Sequence, residues 1–341
     1  MNGSAYSPSP GRYDGCMAYR RCGSSGVLLP EISLGLWHNF GTAVPFSNAM
    51  ETVHAAFDNG ITHFDLANNY GPPPGSAEET FGRIIRRSLA PYRDELFISS
   101  KAGYDMWQGP YGNWGSRKYL TASLDQSLKR MNLDYVDVFY SHRYDPQTPL
   151  EETMQALVDA VRQGKALYAG ISNYPREAAA RAFKYLSEHD TPCLLYQGRF
   201  NIFDRGGRVD DPSLIQFAAE NGVGFIAFSP LDQGLLTDRY LNGIPAGSRM
   251  SEGGSLKESA LTAEKLSQIR ALNELAASRG QSLAEMSLAW ILSRRQVTSV
   301  IVGASSAAQL RKNLGALSSP PFTEEELRRI DEICSSTPTC R

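Results

Sequence analysis

From residue 32 onward, short apolar runs alternate with longer stretches whose apolar residues recur every three or four positions, the pattern of parallel strands separated by helices. The runs that read as strands are Ile32-Ser-Leu-Gly35, Thr62-His-Phe-Asp-Leu66, Glu95-Leu-Phe-Ile-Ser-Ser100 and Val136-Asp-Val-Phe-Tyr140. They continue with Ala166-Leu-Tyr-Ala-Gly-Ile171, Cys193-Leu-Leu-Tyr196, Gly224-Phe-Ile-Ala-Phe228 and Ser299-Val-Ile-Val302. Between the first two, Asn48 to Asn59 puts Met50, Val53, Ala56 and Phe57 on one helical face, with Gly60 at the stop. Residues 118–131, 150–163, 176–187 and 212–220 repeat this arrangement, and Gly164 and Gly222 again follow helices. Eight such strands with their helices are most economically closed into an α/β barrel of the (β/α)8, or TIM, type.

Two segments stand outside the repeat. Tyr19 to Pro30 alternates around Gly23-Ser-Ser-Gly26 and predicts an N-terminal β-hairpin that covers the bottom of the barrel. Asp238 to Leu261 is rich in Gly and Ser and predicts an inserted loop between strands seven and eight, of the length usually found in a lid or binding segment. A chain of 341 residues does not force a second domain, since barrels of this type commonly exceed about 250 residues. The expected organisation is an irregular arm over residues 1–18, one domain over 19–335 and a short tail at 336–341.

Composition narrows the function. With 42% hydrophobic and 21% charged residues the chain reads as water-soluble and globular, and a net charge of −2 offers no broad positive field to nucleic acid or an anionic membrane. A small-molecule partner is favoured. The five cysteines show no CxxC spacing, so neither a disulfide framework nor a zinc site is expected. Residues 1–18 lack the apolar core of a secretion signal, and no later run approaches the roughly 20 apolar residues of a membrane-spanning helix. The expected location is the cytoplasm.

Polar residues of unusual kinds fall where candidate strands end, the rim at which barrels of this type carry their chemistry. Asp65 closes the second strand and precedes Asn68-Asn-Tyr70-Gly71; Lys101 follows the third; Ser141-His142-Arg143 follows the fourth. Reduction of a carbonyl places negative charge on oxygen, and an acid must then supply a proton. A phenol, with a reference pKa of roughly 10, can do so if a lysine ammonium beside it favours its ionised form and a carboxylate keeps that ammonium charged. A histidine at the same point orients the carbonyl oxygen. Singly, each residue has a structural explanation: a packed loop aromatic, a solvated rim lysine, a helix-capping aspartate, a hydrogen-bonded histidine. Together at three consecutive strand ends they predict a catalytic set of Tyr70, Lys101, Asp65 and His142.

The motif Gly60-Ile-Thr-His-Phe-Asp65-Leu-Ala-Asn-Asn-Tyr70-Gly71 resembles the signature of the aldo-keto reductases. The likeness extends through Met131-Asn-Leu-Asp-Tyr-Val-Asp-Val-Phe-Tyr-Ser-His142, Gly170-Ile-Ser-Asn173, Phe228-Ser-Pro-Leu231 and Ile301-Val-Gly-Ala-Ser305. Within the family, Leu34-Gly-Leu-Trp-His-Asn-Phe40 and Asn69-Tyr-Gly-Pro-Pro-Pro-Gly-Ser76 are similar to the bacterial L-glyceraldehyde 3-phosphate reductases, relatives of the potassium-channel β subunits.

The resemblance implies the same four residues and NADP(H) as cofactor. It places the nicotinamide on Phe228, with Trp37, Asp65, Ser172, Asn173 and Gln197 around it. Ser229, Pro230, Leu231, Gly234, Leu235 and Arg239 would approach the pyrophosphate, and Gly303, Ser305, Gln309 and Asn313 the adenosine. Arg249 is the expected charged contact for the 2′-phosphate. Asp232, beside the pyrophosphate, is unfavourable there unless it turns away or meets a base such as Arg239. A small aldehyde, plausibly L-glyceraldehyde 3-phosphate or methylglyoxal, would lie against Trp37, His38, Tyr70, His142 and Arg143, with Asn39, Tyr144 and the loop from Trp107 to Trp114 as further lining. Relatives assemble as tetramers or octamers, so a homo-oligomer is expected. Two rivals remain: a metal-dependent hydrolase using His63, Asp65 and His142, disfavoured by the scarcity of further ligands, and a cofactor-sensing channel-subunit-like protein. No metal is assigned.

Overall fold

The computed structural model describes residues 6–15, 17–205, 214–245 and 256–335. A two-stranded antiparallel hairpin, β1 (Tyr19–Arg21) and β2 (Leu28–Pro30), leads into eight parallel strands. These are β3 (Ile32–Gly35), β4 (His63–Asp65), β5 (Phe97–Ala102), β6 (Val136–Ser141), β7 (Ala166–Ser172), β8 (Cys193–Arg199), β9 (Gly224–Phe228) and β10 (Val297–Val302). Each pairs with the next, and β10 returns to β3 to close the barrel.

The outer layer is helical. Alternating with the strands are α1 (Phe46–Asp58), α2 (Ser76–Ile84), α3 (Arg117–Met131), α4 (Leu150–Arg162), α5 (Arg176–Glu188) and α6 (Leu214–Glu220). The β9–β10 connection carries α7 (Ala263–Ser278) and α8 (Leu283–Leu292), and α9 (Ala307–Leu314) and α10 (Glu324–Ser335) end the described chain. Local signals account for many boundaries. The Ser116 hydroxyl accepts from the Tyr119 amide to open α3, Asn132 at φ 56° ends it, and Ser282 with Glu285 forms a capping box at α8. No helix among the described residues is long and apolar enough to cross a membrane.

The hairpin plugs the end of the barrel at which the strands begin. Cys22 and Leu29 pack inside with Val138, Tyr140, Leu194, Leu195, Ile226 and Ile301. Arg20 holds the hairpin down through the carbonyls of Leu292 and Val297, at 2.8 and 2.9 Å, and the Ser24 amide donates to Gly222 O at 2.9 Å. The described part of the N-terminal arm is tied down as well. Tyr6 stacks on His54 of α1 at 3.7 Å and donates to Asp58, while Arg12 pairs with Glu95 at 2.6 Å.

The strands reach further toward the opposite, open end than the apolar runs predict. Lys101, expected just after its strand, lies within β5 opposite Tyr140; Ser141 lies in β6, and Ser172 lies in β7 opposite Gln197. The ladder bonds only backbone groups, so it continues through polar side chains wherever the cavity they enter is itself polar. The inserted loop between β9 and β10 is described only at its ends, as short 3-10 turns at Asp238–Tyr240 and Glu258–Ala260.

Close packing under the rim depends on Gly170 in β7, where an added Cβ would sit 2.5 Å from the Tyr140 ring. Gly170→Ala is expected to cost about 1–3 kcal/mol through overpacking. Urea unfolding checks this, and an unchanged midpoint would contradict the packing argument.

Candidate active site

Five adjacent strands, β4 to β8, deliver polar side chains to the open end. Successive residues of a strand face opposite sides, so Ser99 and Lys101 share the inward face of β5, and His63 and Asp65 that of β4. Lys101 Nζ donates to Asp65 Oδ2 at 2.6 Å and to Leu66 O at 2.7 Å. Asp65 Oδ1 accepts from Ser99 Oγ at 2.8 Å and from Gln197 Nε2, reaching across from β8, at 3.0 Å. Lys101 and Asp65 are 0% and 2% exposed, so this is a dry ion pair, and such a pair holds only when its remaining donors and acceptors are satisfied, as here.

Tyr70, on the loop after β4, places its ring centroid 5.0 Å from Lys101 Nζ and 6.0 Å from the His142 ring. Sequence reasoning expected the lysine to lower the phenol's pKa. In the structure burial dominates, followed by the negative charge of Asp65 and then Tyr104, and the phenol is held well above its ordinary value. At neutral pH Tyr70 therefore keeps its proton. Lys101 is drawn below its ordinary value by burial, with Asp65 opposing the shift. His142 is pushed well below the usual histidine range by burial, then by the positive charges of Lys101 and Arg143, so its imidazole is neutral. Its Nδ1 is buried with no hydrogen-bond partner, its ring meets Tyr104 edge-on at 4.7 Å, and its carbonyl accepts from Asn173 Nδ2.

A protonated phenol, an ammonium and a neutral imidazole thus converge where the barrel opens. Trp37 joins them, its ring 6.3 Å from that of Tyr70 and 3.9 Å from that of His38. Arg143 lies in a stack, with its guanidinium carbon 3.6 Å from the Trp114 ring centroid and 4.3 Å from that of Tyr104. It also donates to Gly103 O and Asn113 Oδ1, both at 2.7 Å. Ser99 and Tyr104 are contacts that sequence reasoning missed. Ser99 was legible as the inward neighbour of Lys101 at i−2, whereas Tyr104 carries no such signal.

Several expected cofactor contacts are arranged differently. Asn173 turns its amide nitrogen inward and spends it on His142 O and Ser172 Oγ, while Gln197 donates inward to Asp65. The Gln197 side chain also meets the buried Tyr140 hydroxyl, and Ser172 Oγ, accepting from Asn173, retains its own proton to donate. The Ser172 hydroxyl as donor and the Asn173 carbonyl oxygen as acceptor suit a carboxamide, which has one C=O and one NH2.

The turn after β9 is left-handed at Ser229, Asp232, Gln233 and Gly234. The amides of Gly234 and Leu235 are spent inside this tight turn on Leu231 O and Asp232 O. Asp232 meets Arg199 at the end of β8, not Arg239, and Arg199 also holds Asp204 at 3.0 Å, so one guanidinium serves both carboxylates. Arg239 is exposed. Gln309 folds back to accept from the Ser305 amide and hydroxyl, Gly303 opens onto empty space, and Asn313 Nδ2 is buried without a partner. Arg249 lies outside the described residues. The unpartnered His142 Nδ1 and Asn313 Nδ2, with the Asn173 oxygen, fit an extended nucleotide along this rim.

His63 does not join the open site. Its Nδ1 and Nε2 are taken up by Ser33 at 2.8 Å and Ser99 at 3.0 Å, which removes it as a metal ligand beside Asp65 and His142.

The aldo/keto reductase family model matches residues 31–335 of this sequence. The chain belongs to the aldo/keto reductase family. Among its relatives, the L-glyceraldehyde 3-phosphate reductases of Escherichia coli O157:H7 and of strain K12 are each 56% identical over 328 residues, spanning 95% of this chain and 94% of theirs. A probable voltage-gated potassium channel β subunit of Oryza sativa subsp. japonica is 34% identical, over 94% of this chain and 98% of its own. The crystal structure of a thermostable aldo-keto reductase bound to the inhibitor epalrestat superposes with a TM-score of 0.70 at 31% identity, covering 93% of this chain and all of the other. This member of the aldo/keto reductases therefore carries the family's barrel, with Asp65, Tyr70, Lys101 and His142 gathered at its open end.

Burial and the nearby Lys101 ammonium, only partly offset by Asp65, push His63 down to about 4. An unfolded histidine titrates near 6.5, so between those values the unfolded chain binds a proton that the folded chain does not. Stability is thus present in full above about pH 6.5 and falls toward pH 4, by about 3 kcal/mol from this group. Denaturant titrations at pH 7 and 4.5 should show a shallower acid loss in His63→Asn than in the parent; equal losses would refute the assignment.

Proposed function

We propose that the chain reduces a small phosphorylated aldehyde, with L-glyceraldehyde 3-phosphate as first candidate and methylglyoxal as a smaller alternative, and that NADPH is its reductant. The observation that carries this reading is the dry Lys101–Asp65 pair beside the Tyr70 ring, with His142 facing it at strand ends of the same barrel. The name shared by the two relatives at 56% identity supports the substrate.

Bound along the rim, the nicotinamide would supply hydride to the carbonyl carbon. Tyr70 would pass its hydroxyl proton to the carbonyl oxygen as negative charge develops there, and the Lys101 ammonium 5.0 Å from its ring would stabilise the resulting phenolate. Asp65 holds Lys101 charged and in place. The neutral His142 ring offers a hydrogen bond that orients the carbonyl oxygen.

For the cofactor, Phe228 presents a ring for stacking and Trp37 stands beside Tyr70, while Ser172, Asn173 and Gln197 would meet the carboxamide. Ser229, Pro230, Leu231, Gly234, Leu235 and Arg239 would hold the pyrophosphate side, and Gly303, Ser305, Gln309 and Asn313 the adenosine. Arg143 follows His142 in sequence and adds positive charge to its surroundings, and its stacked guanidinium is suited to a substrate phosphate.

Tyr70→Phe keeps the ring and removes the proton. Turnover is expected to fall by about 10²- to 10⁴-fold, while NADPH affinity, followed by fluorescence quenching, stays near that of the parent. Near-normal turnover would remove Tyr70 as the acid. NADPH oxidation should be measured with L-glyceraldehyde 3-phosphate, methylglyoxal and an unphosphorylated aromatic aldehyde. Arg143→Met is expected to raise KM for the phosphorylated substrate by about tenfold, leaving that for methylglyoxal little changed. An equal effect on both would show that Arg143 does not read the phosphate.

A further inference from the structure

Asp65 is the end point of a row of buried polar side chains that crosses the barrel interior over four strands. Ser299 Oγ of β10 lies 2.6 Å from Ser33 Oγ of β3, and Ser33 Oγ lies 2.8 Å from His63 Nδ1 of β4. His63 Nε2 lies 3.0 Å from Ser99 Oγ of β5, which donates to Asp65 Oδ1 at 2.8 Å. The two serines of β3 and β10, His63 and Ser99 are all 0% exposed. Barrel interiors are ordinarily filled by branched apolar side chains, and each polar group placed there is costly unless bonded.

The charge at one end dictates the direction of the whole row. A carboxylate paired with an ammonium only accepts, so Ser99 spends its single proton on Asp65. Ser99 must then accept from His63, which puts the imidazole proton on Nε2. A neutral ring carries one N–H, so Nδ1 is bare and accepts from Ser33, and Ser33 in turn accepts from Ser299. Among the described residues the other acceptor for Ser299 is Glu31 O, at a long 3.4 Å. Every dipole in the row therefore points toward Asp65, an arrangement in which each bond polarises the next.

We infer that His63 is a positioning residue for the reduction: fixed as the Nε2-protonated tautomer, it aims the Ser99 hydroxyl at Asp65 and so holds the carboxylate against Lys101. The inference rests on the proposed roles of Tyr70, Lys101 and Asp65. His63 touches none of the reacting groups and acts only through Ser99. The Phe97 ring, edge-on at 5.5 Å, packs against it and offers no competing hydrogen bond.

The first measurement does not need turnover. Histidine-selective 15N labelling at pH 7 resolves five residues, and the His63 signals are those lost in His63→Asn. The expected spectrum shows Nε2 protonated and Nδ1 bare, in the parent and in Tyr70→Phe alike. A ring protonated on Nδ1, or on both nitrogens, overturns the inference. Ser33→Ala should move the His63 Nδ1 resonance, and an unmoved resonance would count against the row.

Kinetics then separate positioning from packing. Ser99→Ala should lower kcat by about tenfold, the order of a hydrogen bond to a charged group, with little change in KM, and Ser99→Thr should restore most of the rate. Parental kcat in Ser99→Ala, or equal impairment in Ser99→Thr, sinks the positioning role. If Tyr70→Phe instead retains turnover, the catalytic reading falls while the tautomer measurement still decides the direction of the row.

Discussion

The interaction on which the rest of the site depends is the contact between Lys101 and Asp65, two opposite charges held away from water at 2.6 Å. Desolvating such a pair costs several kcal/mol per ion unless the surroundings restore the lost hydrogen bonds. Here they come from Leu66 O on one side, and from Ser99 and Gln197 on the other. No single hairpin or helix brings those groups together. They come from β4, β5 and β8, and only a closed barrel turns those strands' inward faces toward one point. The hairpin plug at the far end keeps the same interior dry from below.

A second buried acid extends this economy. Glu78 of α2 accepts from Ser100 at 2.6 Å and from Arg130 at 2.7 Å, and its negative charge helps keep Lys101 protonated against the effect of burial. Around the ammonium the ionisation states then sort themselves by sign. Burial keeps Tyr70 protonated, and burial with nearby positive charge keeps His142 neutral. What makes the phenol a useful acid is therefore the ammonium waiting to receive the phenolate, and not a phenol already primed to ionise. At the rim Arg199 pairs with Asp232, and Arg143 is held between two aromatic faces.

Much of this was legible along the chain. Period-two and period-3.6 patterning fixes which residues enter the barrel and which cover it, because a strand's side chains alternate and a helix's recur each turn. Asp65, Lys101 and His142 stood out as polar groups ending apolar runs, and Tyr70 lies five residues beyond Asp65 on the loop between them. The left-handed turn at Ser229–Gly234 was less legible, since three of its positive-φ positions are not glycine.

The sequence by itself determined the barrel, its hairpin and the four residues that meet at its mouth. Only the tertiary structure decided how their polar neighbours point: Asn173 and Gln197 inward, Asp232 onto Arg199, Gln309 back onto Ser305, and Ser299, Ser33, His63 and Ser99 in line toward Asp65. The physical reason lies in the range of the forces. Apolar burial is non-directional and leaves a periodic trace in local sequence. A hydrogen bond is short and directional, and partners such as Ser33 and Ser299, 266 residues apart, meet only where barrel closure and strand stagger bring them.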